Sequence, residues 1–146
     1  MLRARVNYDN PEHHHFDHRL YSSVEEGLGR NFKFDFQVRG VGKADIAYEY
    51  VDFNHTPTLE EVILQIKRRN NLRLPDFAET RDFHSQNPNE QKMEPIVSVC
   101  GGINHLEDYL YYAHGMISAD RCGLHLYKGF PAVRFGWERR FLTVRK

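Results

Sequence analysis

Short segments of the chain alternate hydrophobic and polar residues, the pattern of a β-strand with one face buried. The clearest runs from Phe32 to Val38, where every second residue is apolar. Residues 96–99 are Ile-Val-Ser-Val, three of them apolar and none charged, which predicts a short buried strand. The predicted strands are 2–8, 32–38, 44–53, 96–99, 124–127, 132–135 and 141–144.

Three helices are predicted between these strands. The first begins at Asn10 and ends near Gly27, and the third begins at Asn104 and ends near Gly115. The second has the strongest signal, because Thr58 and Glu61 match a capping box and apolar residues then recur at positions i, i+3, i+4 and i+7. This spacing predicts a helix over 59–69 with one apolar stripe.

The segment from Leu72 to Met93 has no clear periodicity. It is polar, contains Pro75 and Pro88, and joins the second helix to the buried strand at 96–99. A connection of this length is usually functional or mobile. We therefore expect residues 72–93 to form a long loop that contacts a partner.

The order of elements is β-α-β-β-α-β-α-β-β, and no linker divides residues 1–146. This order predicts a single α+β domain with two layers, a mostly antiparallel sheet with two or three helices packed on it. Its first six elements match the ferredoxin-like order. The expected fold is thus ferredoxin-like, with residues 123–146 as a C-terminal β extension.

Charge and composition indicate in which cellular compartment the protein is expected. Twenty basic residues balance 20 acidic ones, but the tail at 123–146 has six basic residues and one acidic residue, a net charge of +5. No apolar run is long enough to cross a bilayer, and the first ten residues lack the apolar core of a secretory signal. Two cysteines are too few for a disulfide framework. These features predict a cytoplasmic protein, or one inside an intracellular or viral assembly, that is neither secreted nor membrane-spanning.

Histidines in the first predicted helix suggest a metal site. His14 and His18 are four residues apart, so both rings could face one zinc ion. Further ligands would have to come from elsewhere in the fold, and no Cys-x-x-Cys or His-Glu-x-x-His pattern supplies them. The alternative is a solvated helix face without a metal, and the main expectation is that the protein has no cofactor.

Asp45, followed twenty positions later by Gln65-Ile66-Lys67, resembles the motif of the PD-(D/E)xK metal-dependent nucleases in their Gln-x-Lys form. The resemblance implies that Asp45 binds Mg²⁺, that Gln65 assists and that Lys67 orients the attacking water. It covers less than half of the chain. It also requires 62–67 to be a strand, whereas the capping box predicts a helix, on which Gln65 and Lys67 would lie about 200° apart.

The tail at 123–146 combines arginines with aromatic residues. Such a surface is typical of docking sites for proteins, and it can also bind unpaired nucleic-acid bases. The candidate partner-binding residues are Arg134, Trp137, Arg139, Arg140 and Phe141.

These observations predict a non-catalytic structural or interaction subunit, for example of a virion or another multiprotein complex. It would dock on a protein partner or a second copy through a C-terminal hairpin and the 72–93 loop. The alternatives are a metal-dependent nuclease and a nucleic-acid-binding module that uses the basic tail.

Overall fold

The computed structural model describes residues 2–14, 19, 21–25, 38, 40–102, 114–130, 132–136 and 138–146. Within them, eight strands form one mixed sheet, accompanied by three α-helices and a 3₁₀ turn at Pro11–His13. The helices are α1 (Leu59–Arg68), α2 (Phe77–Gln86) and α3 (Glu90–Met93). The strands are β1 (Leu2–Asn7), β2 (Ser23–Val24), β3 (Lys43–Asp52), β4 (Leu72–Arg73), β5 (Ile96–Gly102), β6 (His114–Asp120), β7 (Gly123–Gly129) and β8 (Arg140–Arg145).

The strands follow the order β1-β3-β8-β5-β6-β7-β2, and β4 pairs with one end of β8. Most neighbours are antiparallel, but β5 with β8 and β2 with β7 are parallel. The α+β class is therefore confirmed, and most strand pairs of the sheet are antiparallel as predicted. The ferredoxin-like arrangement does not describe this sheet, which is larger and mixed.

Helices cover both faces of the sheet. On one face, α1 buries Leu59, Val62, Ile63 and Ile66 against Val51 and other residues of the central strands. On the opposite face, α2 buries Phe83 in a second apolar cluster that includes Tyr48 and Leu142. The expected two-layer packing is thus wrong around the central strands, which lie between α1 and α2.

Strand β8 lies in the middle of the sheet, between β3 and β5. Phe141 packs in the α1 cluster, whereas Leu142 and Val144 pack in the α2 cluster. Both faces of β8 are therefore buried, which explains its continuous Phe-Leu-Thr-Val run. Because β5 and β6 separate β7 from β8, the predicted C-terminal hairpin is wrong.

Residues 72–93 form β4, α2 and α3 rather than a long loop, so that prediction is also wrong. Asp76 caps α2 in a capping box with Glu79. Side chains of α2 also bond the outer edge of β1: Gln86 both accepts from and donates to the backbone of Arg5, and Asp82 accepts from the backbone N–H of Asn7. The segment is therefore part of the fold, because it closes an exposed strand edge.

The remaining predicted elements have mixed outcomes. Five predicted strands and one helix are confirmed with small shifts of their ends: the strands at 2–8, 44–53, 96–99, 124–127 and 141–144, and the helix at 59–69. The predicted first helix begins at Asn10 as expected, but as a 3₁₀ turn at Pro11–His13, and its far end is wrong because residues 23–24 form β2. The strand at 132–135 reduces to one isolated bridge, between Thr58 and Arg134. Residues 32–37 and 103–113 lie outside the described part of the chain.

In the described ranges, none of the helices has both the length and the apolarity needed to cross a bilayer.

Candidate protein-docking groove

A groove lies on the α1 face of the sheet, between strands β6 and β7 and the segment that leads into β8. Its volume is about 300 Å³. Three of the five large hydrophobic side chains that are exposed among the described residues lie in or beside it: Tyr127 is 37% exposed, Phe130 49% and Val133 43%. The lining residues are Glu25, Val97, Met116, Ser118, Tyr127, Lys128, Val133, Arg134, Phe135, Gly136 and Glu138.

The wall formed by residues 133–135 is bound to the start of α1. The backbone N–H of Leu59 donates to the carbonyl of Val133 at 2.9 Å, and that of Phe135 donates to the carbonyl of Pro57 at 3.0 Å. The Phe135 ring packs on Phe141, with ring centroids 5.1 Å apart. These contacts hold the wall in one conformation, so little ordering entropy would be lost on binding.

Phe130 directly follows β7, and the Nζ atom of Lys128, one of the groove residues, lies 5.3 Å from the centre of its ring. The adjacent chain turns back, because the N–H of Val133 donates to the carbonyl of Phe130 at 2.9 Å. The turn therefore presents an exposed aromatic ring beside an exposed aliphatic side chain, the combination that anchors protein interfaces.

The basic residues of the tail do not form one patch. Arg140 pairs with Asp52 at 2.8 Å and Glu94 at 3.4 Å, and lies 4.8 Å from the centre of the Tyr50 ring. Arg145 pairs with Glu49 at 3.6 Å. These two charges are matched by acidic residues away from the groove, because β8 lies beside β3.

The five predicted partner-binding residues therefore have different environments. Phe141 is 1% exposed and belongs to the core, so its assignment to a docking surface is wrong. Arg140 holds the ion pairs just described. Arg134 and Arg139 are exposed, and Arg134 donates to the carbonyl of Thr56 at 3.0 Å. Trp137 lies outside the described residues.

The residues of the nuclease motif do not adopt the arrangement that the motif requires. Gln65 and Lys67 are both exposed on α1, and the capping box of Thr58 and Glu61 is formed as predicted. The two residues are separated by about 200° of rotation around the helix axis, so their side chains project from nearly opposite sides of the helix. Asp45 lies on β3 and pairs with Arg5 at 3.0 Å.

The histidine pair His14 and His18 is described only in part. The Nε2 atom of His14 lies 2.8 Å from the carbonyl oxygen of Tyr8, so this nitrogen donates a hydrogen bond. His18 lies outside the described residues. Within the described ranges, no three His, Cys, Asp or Glu side chains converge as metal ligands.

A buried polar network on the α2 face was not predicted from the sequence. Glu79 is 0% exposed, yet its carboxylate accepts hydrogen bonds from the Arg73 guanidinium, the Tyr8 hydroxyl and the Asp76 backbone N–H. Burial alone would raise the pKa of Glu79, but the hydrogen bonds and charge of Arg73 outweigh it and lower that pKa. The Asp76-x-x-Glu79 spacing was a local signal that could have revealed α2.

Comparison with protein-family models, curated proteins and solved structures gives no match to this chain.

Proposed function

We propose that this chain is a structural or interaction subunit of a larger assembly and that it binds a protein partner in the groove beside β7. The observation that carries the proposal is the exposed group of Tyr127, Phe130 and Val133, of which Val133 lies on the wall held by backbone hydrogen bonds. Exposed apolar side chains that are grouped and held rigidly are typical of docking sites.

The charges around the groove define the partner further. The groove residues carry charges of both signs, two basic (Lys128 and Arg134) and two acidic (Glu25 and Glu138). We therefore expect the bound segment to present an apolar side chain flanked by charged residues of both signs. Such complementary charges contribute mainly to specificity and to the rate of association.

A protein partner fits these features better than a nucleic acid does. A nucleic-acid surface needs a continuous set of basic residues, whereas Arg140 and Arg145 are paired with acidic residues elsewhere on the sheet. The outer edge of β1 is bonded to α2, so this edge offers no unpaired backbone at Arg5 and Asn7 for strand addition.

Two exposed valines provide a matched test. Val133→Asp places a carboxylate in the groove, whereas Val41→Asp makes the same change at a site that is 88% exposed and remote from the groove residues. Affinity purification from the cells of origin, with a photo-crosslinking residue at position 130, identifies what occupies the groove. We expect the crosslinked protein to be retained by Val41→Asp and lost by Val133→Asp.

Retention of the same partner by Val133→Asp, with the fold intact by circular dichroism, would refute the docking proposal. If the partner is a second copy of this chain, sedimentation velocity of the purified protein will show an oligomer that Val133→Asp dissociates. Binding of a DNA or RNA oligonucleotide that weakens steeply with salt and depends on Arg134 would instead favour the nucleic-acid-binding alternative.

A further inference from the structure

Three polar side chains form a hydrogen-bonded chain on β2, β6 and β7. The Oγ atom of Ser23 lies 2.7 Å from the Nδ1 atom of His125, and the Nε2 atom of His125 lies 3.0 Å from the Oδ1 atom of Asp120. Ser23 is exposed, whereas the side chains of His125 and Asp120 are 13% and 26% exposed. The hydrogen bonds thus link a nucleophile to a base, and the base to a carboxylate that orients it.

The hydrogen bonds determine where the protons lie. An ionised carboxylate only accepts, so the Nε2 atom of His125 carries a hydrogen and donates it to Asp120. In the neutral imidazole the Nδ1 atom then has a free lone pair and accepts from the Ser23 hydroxyl. The imidazole is therefore in the tautomer that a general base requires, with Nδ1 rather than Nε2 facing the serine.

The backbone around this chain holds it in place. Ser23 is the register partner of His125 across the parallel β2–β7 pair. The N–H of Ser22 donates to the carbonyl of Leu124, and the Ser22 hydroxyl donates to the carbonyl of Cys122, both at 2.7 Å. Gly123 has a φ of +122°, and a Cβ atom there would clash with the Oγ atom of Ser22. This close approach, which only glycine permits, brings β2 against the β6–β7 turn.

Asp120 is held by a second hydrogen bond. The backbone N–H of Cys122 donates to its Oδ1 atom at 2.8 Å, so the carboxylate is fixed by the turn that joins β6 to β7. Asp120 is therefore a positioning residue, which acts on Ser23 through the His125 ring.

We propose that Ser23 is an activated nucleophile and that this site hydrolyses carboxylic esters with small apolar acyl groups. The acyl group would lie along the same face of the sheet, where Ser118 is the register partner of His125 and Met116 that of Tyr127. The Tyr127 ring lies 6.4 Å from the imidazole, centre to centre, at an angle of 30°. The Tyr127 ring therefore offers an apolar surface beside the base, on the face of the sheet that also carries Met116.

The reaction has two steps. Ser23 Oγ attacks the carbonyl carbon, its proton passes to His125 Nδ1, and the ester C–O bond breaks with the leaving alcohol taking that proton. A water molecule then gives a proton to Nδ1 and attacks the acyl-serine, which releases the carboxylic acid and restores the Ser23 hydroxyl.

The first test uses the unmodified full-length protein and a fluorophosphonate probe. Attack of Ser23 on phosphorus would expel fluoride and leave a covalent adduct, which peptide mass spectrometry locates without any variant. We expect the adduct on Ser23, and its absence from Ser23 in the folded protein overturns the proposal.

Variants provide the second test. We expect His125→Gln to slow adduct formation and the hydrolysis of p-nitrophenyl butyrate at least tenfold, because the serine loses its base. Ser23→Ala should abolish the adduct, whereas Ser85→Ala, which removes an exposed serine of α2, should leave both rates unchanged. Equal rates in His125→Gln and the unmodified protein would refute the role of the imidazole.

The two proposals can fail separately. The adduct on Ser23 is measured on the purified protein without a partner, whereas docking is measured by crosslinking from position 130, so either result can be negative while the other is positive.

Discussion

The buried carboxylate of Glu79 allows a quantitative prediction about folding. All four groups bonded to it are donors: two nitrogens of Arg73, the hydroxyl of Tyr8 and the backbone N–H of Asp76. In Glu79→Gln, one carboxylate oxygen becomes an amide NH₂. Whichever way the amide is turned, it directs N–H groups at an Arg73 nitrogen, and the ion pair is lost.

Breaking a buried ion pair by removing one partner costs about 3–5 kcal/mol. The Arg73 side chain is 32% exposed, so water partly compensates its lost partner, and the lower end of the range applies. We expect Glu79→Gln to lower the free energy of unfolding by about 3 kcal/mol. For a chain of this length the melting temperature should fall by roughly 6–12 °C.

Asp45→Asn is the matched control, because it makes the same chemical change in an ion pair whose side chains are 59% and 65% exposed. Its cost should stay below about 1 kcal/mol. Urea denaturation followed by far-UV circular dichroism measures both variants, with the denaturant dependence checked for a common slope. A loss in Glu79→Gln that is no larger than in Asp45→Asn would refute the assignment of Glu79 as a buried charge that holds α2.

Three further predictions concern the core and the helices. Burial lowers the pKa of His84 to about 4, so the unfolded chain binds this proton more readily and the free energy of unfolding should fall by roughly 3 kcal/mol between pH 6.5 and 4. His84→Gln should flatten that pH dependence, measured by urea denaturation at several pH values. The same fall in the free energy of unfolding in His84→Gln and the unmodified protein would contradict the prediction. Phe141→Ala should cost about 3–5 kcal/mol in urea denaturation because the ring is buried, and a loss below about 1 kcal/mol would place it outside the core. Thr58→Ala should cost about 1 kcal/mol through the lost cap of α1, whereas Thr58→Ser should retain most of it in thermal melts.

Two signals within the sequence could have corrected the fold prediction. The first is the Asp76-x-x-Glu79 spacing, which matches a capping box as well as Thr58-x-x-Glu61 does. It was obscured because α2 buries polar residues such as Glu79 and His84, so its apolar periodicity is weak. The second is the unbroken run from Phe141 to Val144, which is typical of a central strand and not of a hairpin at the edge.

The candidate sites were less accessible to prediction. Ser23 and His125 are 102 residues apart, and only the pairing of β2 with β7 brings them together. Nothing local to either residue distinguishes it from an ordinary polar residue on a strand. Likewise, residues 123–146 form one basic segment in the sequence. In the structure, Arg140 and Arg145 pair with acidic residues of β3, because β8 lies beside β3 in the centre of the sheet.

Local sequence alone determined α1 and the strands β1, β3, β5, β7 and β8, because capping residues and hydrophobic periodicity act over a few neighbouring residues. The order of the strands, the burial of β8 on both faces and the grouping of Ser23, His125 and Asp120 were decided by the tertiary structure. These features depend on which apolar faces pack together and which strand edges pair between residues far apart in the chain. A short window of residues carries no information about such long-range contacts.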